Sequence, residues 1–202
     1  MKTLAYAVAA TALLLSTAAS AQMAPSTDPA AVQGGTFKLE TSHARIVFSL
    51  SHMGFSTWYG DFAGATGSLT LDPKTPAAST LEVSIPAGSI STTNAIVDGE
   101  LKAADWLDTT QFPTITFKST KVTPTGPTTA QVTGDLTLHG VTRPVTLDAT
   151  FKAAGSNIMT KAYTVGFEVK GHLKRSDFGV KKYVPLIGDD VDVVISAPFE
   201  KK

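Results

Sequence analysis

The stretch Arg45-Ile46-Val47-Phe48-Ser49-Leu50-Ser51 predicts how this chain folds. Ile46, Phe48 and Leu50 alternate with other residues, so in an extended backbone they lie on one face. This two-residue period is typical of a strand with one face in a core and the other in water. We therefore interpret residues 45–51 as a half-buried β-strand.

The same alternation returns along most of the chain, at residues 81–85, 115–118, 132–138, 145–151, 163–169 and 191–195. Turn-forming pairs and clusters separate these runs, among them Asp72-Pro73, His139-Gly140 and Gly188-Asp189. The pattern predicts an all-β protein of about eight to ten antiparallel strands. One short helical segment is expected near residues 98–105, where Gly99 to Ala104 include no β-branched side chain.

A sheet of this size must protect its edge strands, either as a sandwich or as a closed barrel. Glycines recur through an aromatic, strand-like stretch at Gly54, Gly60, Gly64 and Gly67. Glycine lets a long strand bend sharply at a barrel corner, so this spacing favours the barrel. A barrel of about eight strands is either filled by its own side chains or holds one slender ligand.

Composition removes several classes of function. The 202 residues contain 17 Lys and Arg against 17 Asp and Glu, and no cysteine. The balanced charge predicts no basic surface for nucleic acid. Without cysteine the chain has no disulfide, thiolate metal site, cysteine nucleophile or lipid-modified N-terminal cysteine.

The N-terminus predicts export. Lys2 precedes an uncharged run from Leu4 to Leu15, and Ala19-Ser20-Ala21 has the small residues that signal peptidase accepts. We expect residues 1–21 to be a cleaved signal, residues 22–35 a flexible leader and residues 36–202 a single domain. The location expected from this arrangement is the periplasm or the exterior, with a soluble mature protein.

Several longer motifs resemble the YceI-like family of polyisoprenoid-binding proteins. They are Ser42 to Phe48 with His52, Gly60-Asp61-Phe62, Phe112 to Thr120, Gly134 to Val145, and Arg175-Ser176-Asp177-Phe178-Gly179. The likeness runs in order from about Thr36 to the C-terminus. At two positions the chain departs from the family pattern: Glu100 stands where a His is usual, and Lys174 where an Asn is usual.

The resemblance implies an extended antiparallel lipocalin-like β-barrel around an apolar tunnel. It further implies a periplasmic carrier of an isoprenoid-type lipid, such as a quinone tail or polyprenyl phosphate, which exchanges the lipid with a membrane donor or acceptor. It implies no enzyme activity and no cofactor besides the bound lipid. The oligomeric state is open, with a homodimer as one alternative.

We expect the ligand to contact inward-facing apolar residues and a polar group near the tunnel mouth. The apolar candidates are Phe48, Leu50, Phe55, Trp58, Phe62, Ile85, Phe117, Tyr163, Val165 and Phe167. Arg175, Asp177 and Phe178 are the candidates at the mouth, where a guanidinium suits a phosphate or quinone oxygen. The alternative for Arg175 is an ion pair with Asp177 that pins the turn before the last strand.

Two other functions compete with the carrier. One is a barrel with a filled core and a stress-protective role. The other is a lipid-modifying enzyme with His43 or His139 as general base, although no Gly-x-Ser-x-Gly nucleophile motif is present. No metal site is expected, because the four His residues offer no spacing that places two ligands on one face of a strand.

Overall fold

The structure, a computed structural model, describes residues 24–202. The expected signal at residues 1–21 therefore lies outside the described residues, together with residues 22–23. The described part of the chain forms ten strands: β1 Gly35–Leu39, β2 Arg45–His52, β3 Ser56–Phe62, β4 Thr66–Leu71, β5 Thr80–Pro86, β6 Thr114–Pro124, β7 Thr129–Leu138, β8 Val141–Ser156, β9 Tyr163–Lys174 and β10 Asp190–Lys201. All paired neighbours are antiparallel.

The sheet closes into a barrel because β10 pairs on both sides. Along one edge it pairs with β9 from Asp190 to Glu200. Along the other edge it pairs first with β2 and then with β1. On that edge β2 and β1 therefore act together as one long, interrupted strand. Their outer neighbours β3 and β4, which pair with β2 and β1 respectively, act as a second one. The result is a closed eight-strand antiparallel barrel, which confirms the predicted all-β, lipocalin-like fold.

Two glycines of the predicted corner have identifiable roles. Gly64 joins β3 to β4 with φ +70°, a conformation in which a side chain would be strained. At Gly60 a Cβ atom would lie 2.4 Å from Cζ of Phe48, so only glycine lets that ring rest on the β3 backbone. Both residues allow the barrel wall to bend and its interior to be packed closely.

The helix α1 spans Ala95–Lys102, which is three residues earlier than expected. Asn94 determines the start, because its Oδ1 accepts a hydrogen bond of 3.1 Å from the Ile96 amide. The side chain of Asp98 accepts from both the amide and the hydroxyl of Thr92, at 2.6 and 2.7 Å. Within the described residues, no helix is long and apolar enough to cross a membrane.

The segment that precedes β1 lies against one end of the barrel. The amide and carbonyl of Ser26 each make a hydrogen bond of 2.8 Å to Ala154 in β8. The Tyr163 hydroxyl accepts from the Gln33 amide at 3.1 Å. This end is filled by side chains, with Phe37, Val165 and Phe199 almost completely buried. We call these three residues the floor of the barrel.

The other end is closed by two connections. One joins β5 to β6 and includes α1, and the other joins β9 to β10. They bring together Ile90, Trp106, Leu107 and Val180, each less than 9% exposed, and we call these four residues the cap cluster. The barrel interior is therefore bounded by the floor at one end and the cap cluster at the other.

Candidate ligand-binding cavity

A cavity of about 360 Å³ runs through the barrel between the floor and the cap cluster. Its wall is almost entirely aliphatic and aromatic, with side chains from most strands of the barrel. Among residues 24–202, Arg175 is the only charged residue on the wall, and Ser79, Thr80 and Ser196 contribute hydroxyl groups. A space of this size and character can accept a slender apolar molecule.

Seven of the predicted site residues lie on the cavity wall: Phe48, Leu50, Phe62, Ile85, Phe117, Phe167 and Arg175. The apolar members come from five strands and face inward by the alternation that predicted them. Phe48 and Phe62 contact each other across β2 and β3, with ring centroids 5.7 Å apart.

Tyr163 and Val165 lie at the floor end of the barrel and do not line the cavity, although they share a face of β9 with Phe167. Val165 is completely buried among the floor residues, and the Tyr163 ring lies 6.4 Å from that of Phe37. The prediction that they contact a ligand assumed an interior open along its whole length. The floor packing ends the cavity between Val165 and Phe167.

Phe55 and Trp58 are also outside the cavity. Phe55 lies in the turn between β2 and β3 and is 89% exposed, so its predicted inward placement was wrong. The prediction applied the alternation of a β-strand to Phe55, which lies in a turn, where side chains do not alternate between two faces. Trp58 pairs with Leu50 across β2 and β3, but its ring packs against the His52 ring, with centroids 5.4 Å apart. Its Nε1 is buried with no hydrogen-bond partner among the described residues.

Arg175 holds the β9 to β10 connection together, and it does so without Asp177. Its Nε donates to the Gly188 carbonyl and its Nη1 to that of Val180, at 2.8 and 2.9 Å. Its Nη2 donates to the carbonyls of Lys182 and Ile187, at 2.9 and 2.8 Å. Only 5% of Arg175 is exposed, and this burial lowers the pKa of its guanidinium. The expected position at a mouth was therefore wrong.

The two residues predicted beside Arg175 do not touch the cavity. Asp177 is exposed on the surface, and Phe178 is buried outside the cavity wall. The expected ion pair of Arg175 with Asp177 is absent among the described residues, and Asp189 holds this turn instead: its carboxylate accepts from the amide and hydroxyl of Ser176, at 2.9 and 2.7 Å. Sequence reasoning considered only the residues next to Arg175 in the chain, so it did not identify Asp189.

The cavity reaches the surface at the side far from Arg175. Pro76 and Thr80, in the connection from β4 to β5, are exposed and also line the wall. At the opposite end Trp106, Leu107 and Val180 line the wall and are buried. The opening therefore lies beside residues 76–80.

The cap cluster contributes four wall residues that sequence reasoning missed. Trp106 is 7% exposed, its ring lies 5.2 Å from the Arg175 Cζ, and its Nε1 has no hydrogen-bond partner within residues 24–202. It sits in an irregular connection, where no periodicity indicates which side chains face inward. The only signal was a large aromatic residue after a short helix.

Neither proposed general base lies on the cavity wall. His43 is largely exposed and pairs with Glu40 on the outside of the barrel. The Nδ1 of His139 donates to the Phe178 carbonyl at 3.1 Å, and its ring packs edge-on against Phe112. Residues 24–202 contain no cluster of three His, Asp or Glu side chains able to hold a metal ion.

Comparison with known proteins assigns the fold to a family. Residues 37–199 match the YceI-like domain. Protein YceI of Shigella flexneri is 40% identical over 157 residues, which cover 78% of this chain and 81% of that relative. The chain belongs to the YceI-like family.

Solved YceI-like and related barrels share this architecture. BcnA of Burkholderia cenocepacia matches with a TM-score of 0.72 at 22% identity, over 79% of this chain and 98% of BcnA. A polyisoprenoid binding domain from Saccharophagus degradans matches with a TM-score of 0.59 at 15% identity, over 84% of this chain and all of that domain. In this YceI-like chain the two departures from the family pattern lie on the surface: Glu100 is exposed in α1, and Lys174 pairs with Asp190 at 2.8 Å.

Proposed function

We propose that this protein binds and carries an isoprenoid-type lipid in the barrel cavity, in the periplasm or outside the cell. The observation that carries the proposal is the cavity itself: about 360 Å³ of almost wholly apolar space, open beside residues 76–80 and closed at the cap cluster. The solved relative described as a polyisoprenoid binding domain supports the choice of ligand.

The physical reason for such a cavity is the cost of exposing a long branched hydrocarbon to water. Each isoprene unit has about five carbons, so its transfer into an apolar wall gains on the order of 3–4 kcal/mol before the costs of binding. A lipid of several units is therefore insoluble alone and stable inside the barrel. Export is supported by the signal-like residues 1–21.

A lipid carrier and a ligand-free structural barrel require different packing of the barrel interior. A core packed for stability alone leaves few voids larger than a water molecule. Here Phe48, Phe117 and Phe167 line an open space, whereas Phe37 and Val165 are completely buried in the floor and do not line it. This contrast within one barrel favours a ligand-binding interior over a purely structural one.

Organic extraction of the protein purified from its exporting host, followed by mass spectrometry, tests the proposal. We expect an isoprenoid chain at close to one molecule per barrel, released unchanged after prolonged incubation. Recovery of protein with no lipid, and no uptake of an added polyprenyl chain, would favour the ligand-free structural barrel. A chemically altered lipid after incubation would favour the enzyme.

A further inference from the structure

Strand β3 is paired along the whole of one edge and along only part of the other. On the first edge Ser56–Phe62 pairs with β2, in a continuous register. On the second edge the described residues supply one partner, Ser91, which exchanges two backbone hydrogen bonds with Asp61, at 2.8 and 2.9 Å. The part of β3 before Gly60 therefore has no neighbouring strand on its outer edge within residues 24–202.

The bonds to Ser91 show which backbone groups of β3 are unpaired. In an antiparallel strand the N–H and C=O groups of alternate residues point to the same edge. Those of Asp61 point away from β2, so those of Tyr59 and Thr57 do so too. No other segment of residues 24–202 makes a backbone hydrogen bond to Thr57 or Tyr59 on this side. We call residues 57–59 the open edge.

The open edge lacks the features with which proteins block unwanted strand pairing. Such edges are usually protected by a charged side chain, a proline, a bulge or a covering element. Residues 53–60 contain no Pro, Lys, Arg, Asp or Glu, and the register with β2 has no bulge. The large side chains that border the edge are exposed, with Tyr59 at 62% and Phe55 at 89%. An edge of this kind is suited to pairing with a further strand.

We propose that the open edge pairs with the same edge of a second copy of this chain, which joins the two barrels through one continuous sheet. Antiparallel pairing about a two-fold axis places Thr57 opposite the partner's Tyr59, and Tyr59 opposite the partner's Thr57. Each pair exchanges two hydrogen bonds, so the unpaired N–H and C=O groups of both copies are satisfied. On the outer face each Thr lies beside a Tyr, a combination that stabilises neighbouring strands.

Two properties of the edge favour a second copy over another occupant. The edge is complementary to itself, because the two residues with outward-pointing backbone groups lie on either side of Trp58 and a two-fold axis there matches donors with acceptors. It is also uncharged, so two copies meet without repulsion between like charges. A bilayer fits less well, because its hydrocarbon offers no partner to backbone N–H and C=O groups.

This interface leaves the cavity and its opening free. Residues 56–59 do not line the cavity. The end of β3 at Ser56 lies near the β9 to β10 connection, where His52 bridges to Ile187, and the opening beside Pro76 and Thr80 is at the other end of the barrel. The inference is therefore independent of the proposed lipid. Because the edge is short, we expect a weak dimer that dissociates on dilution, as is typical of interfaces below about 1,200 Å².

A proline in the open edge tests the pairing. Tyr59→Pro removes an N–H that points outward and leaves the ladder with β2 intact. Tyr59→Thr is the matched control, because it also removes the ring but keeps the N–H. In sedimentation equilibrium up to millimolar protein, we expect the unmodified protein to dimerise. Tyr59→Pro should associate about 10- to 100-fold more weakly than Tyr59→Thr, because two of the four hydrogen bonds are lost.

Hydrogen exchange of the unmodified protein provides a test that needs no variant. The amides of Thr57 and Tyr59 should become more protected as protein concentration rises. The amide of Trp58 points toward β2 and should exchange at the same rate at every concentration.

The two measurements can each overturn the proposal. A monomer at every concentration would do so, and protection of Thr57 and Tyr59 only after addition of phosphatidylglycerol vesicles would make a bilayer the occupant instead of a second copy. Equal association of Tyr59→Pro and Tyr59→Thr would show that the copies meet through another surface. None of these results bears on lipid binding, which the extraction experiment measures separately.

Discussion

Arg175 shows how a side chain can serve both the fold and the cavity. Four of its N–H groups tie together carbonyls between residues 180 and 188, and hydrogen bonds to a charged donor are each worth about 1.5–3 kcal/mol. Lysine has the charge but lacks the planar fork that reaches several acceptors at once. The sequence left Arg175 either as a head-group contact or as part of an ion pair that pins the turn, and the structure shows that it holds one connection together through backbone carbonyls.

We therefore expect Arg175→Lys to lower the free energy of unfolding of the empty protein by about 2–4 kcal/mol. Urea denaturation measures this. Arg143→Lys is the control, because Arg143 is exposed and makes a single long contact of 3.5 Å to the Asp177 carbonyl. An unchanged midpoint for Arg175→Lys would show that the connection is held by its other contacts.

Val165 tests where the cavity ends. It is completely buried among the floor residues and does not line the cavity. Val165→Trp should cost about 1–3 kcal/mol of stability, because the added ring has no free volume to enter. Thermal unfolding of the lipid-free variant measures the loss. A melting temperature equal to that of the unmodified protein would place open space below Phe167.

At the scale of elements, the outer face of β9 and β10 carries a row of paired charges. The His172 ring contacts Asp192 at 2.9 Å and Asp190 at 3.1 Å, and these carboxylates raise the pKa of His172 above 6.5. Lys174 lies on the same face and pairs with Asp190. The network joins the two strands whose ladder is the longest that β10 makes.

A histidine whose pKa is raised by folding stabilises the folded state while it is protonated. The contribution of His172 should be complete below its ordinary pKa near 6.5 and disappear as pH rises through the raised value. Because the pair is exposed, the effect is below about 1 kcal/mol. NMR titration of His172 should give a pKa above 6.5, which Asp192→Asn returns toward 6.5. A value of 6.5 or lower in the unmodified protein would contradict the pairing.

Regular elements were predictable from the sequence and irregular ones were not. The period of two in β2, β6 and β9 identified strands and their inward faces, because each strand is long enough for the alternation to dominate. The turn at Phe55 and the connections around Trp106 have no period. Their side chains are placed by tertiary contacts, such as the bonds from Arg175, that join residues with no local signal.

At the scale of the whole molecule, the closed barrel was predictable but the extent of its interior was not. Alternation shows which side chains face inward, and it does not show how tightly they meet. The floor is filled because Phe37, Val165 and Phe199 meet there, whereas the middle stays open between Phe48, Phe117 and Phe167. The difference lies in how side chains from distant strands pack together.

If the open middle of the barrel holds the lipid, adjacent residues on β9 provide a matched test. Val169 lines the cavity, and Lys170 faces outward and is exposed. Val169→Trp narrows the cavity, whereas Lys170→Trp places the same ring in solvent. Both variants leave the floor and the Arg175 contacts untouched.

The decisive measurement is the lipid content per barrel, by quantitative mass spectrometry, of the unmodified protein and both variants purified in parallel. We predict the same lipid at the same stoichiometry in the unmodified protein and Lys170→Trp. In Val169→Trp we predict a shorter chain or none. The same lipid at the same stoichiometry in Val169→Trp would mean that the chain does not pass this strand, and it would contradict the account.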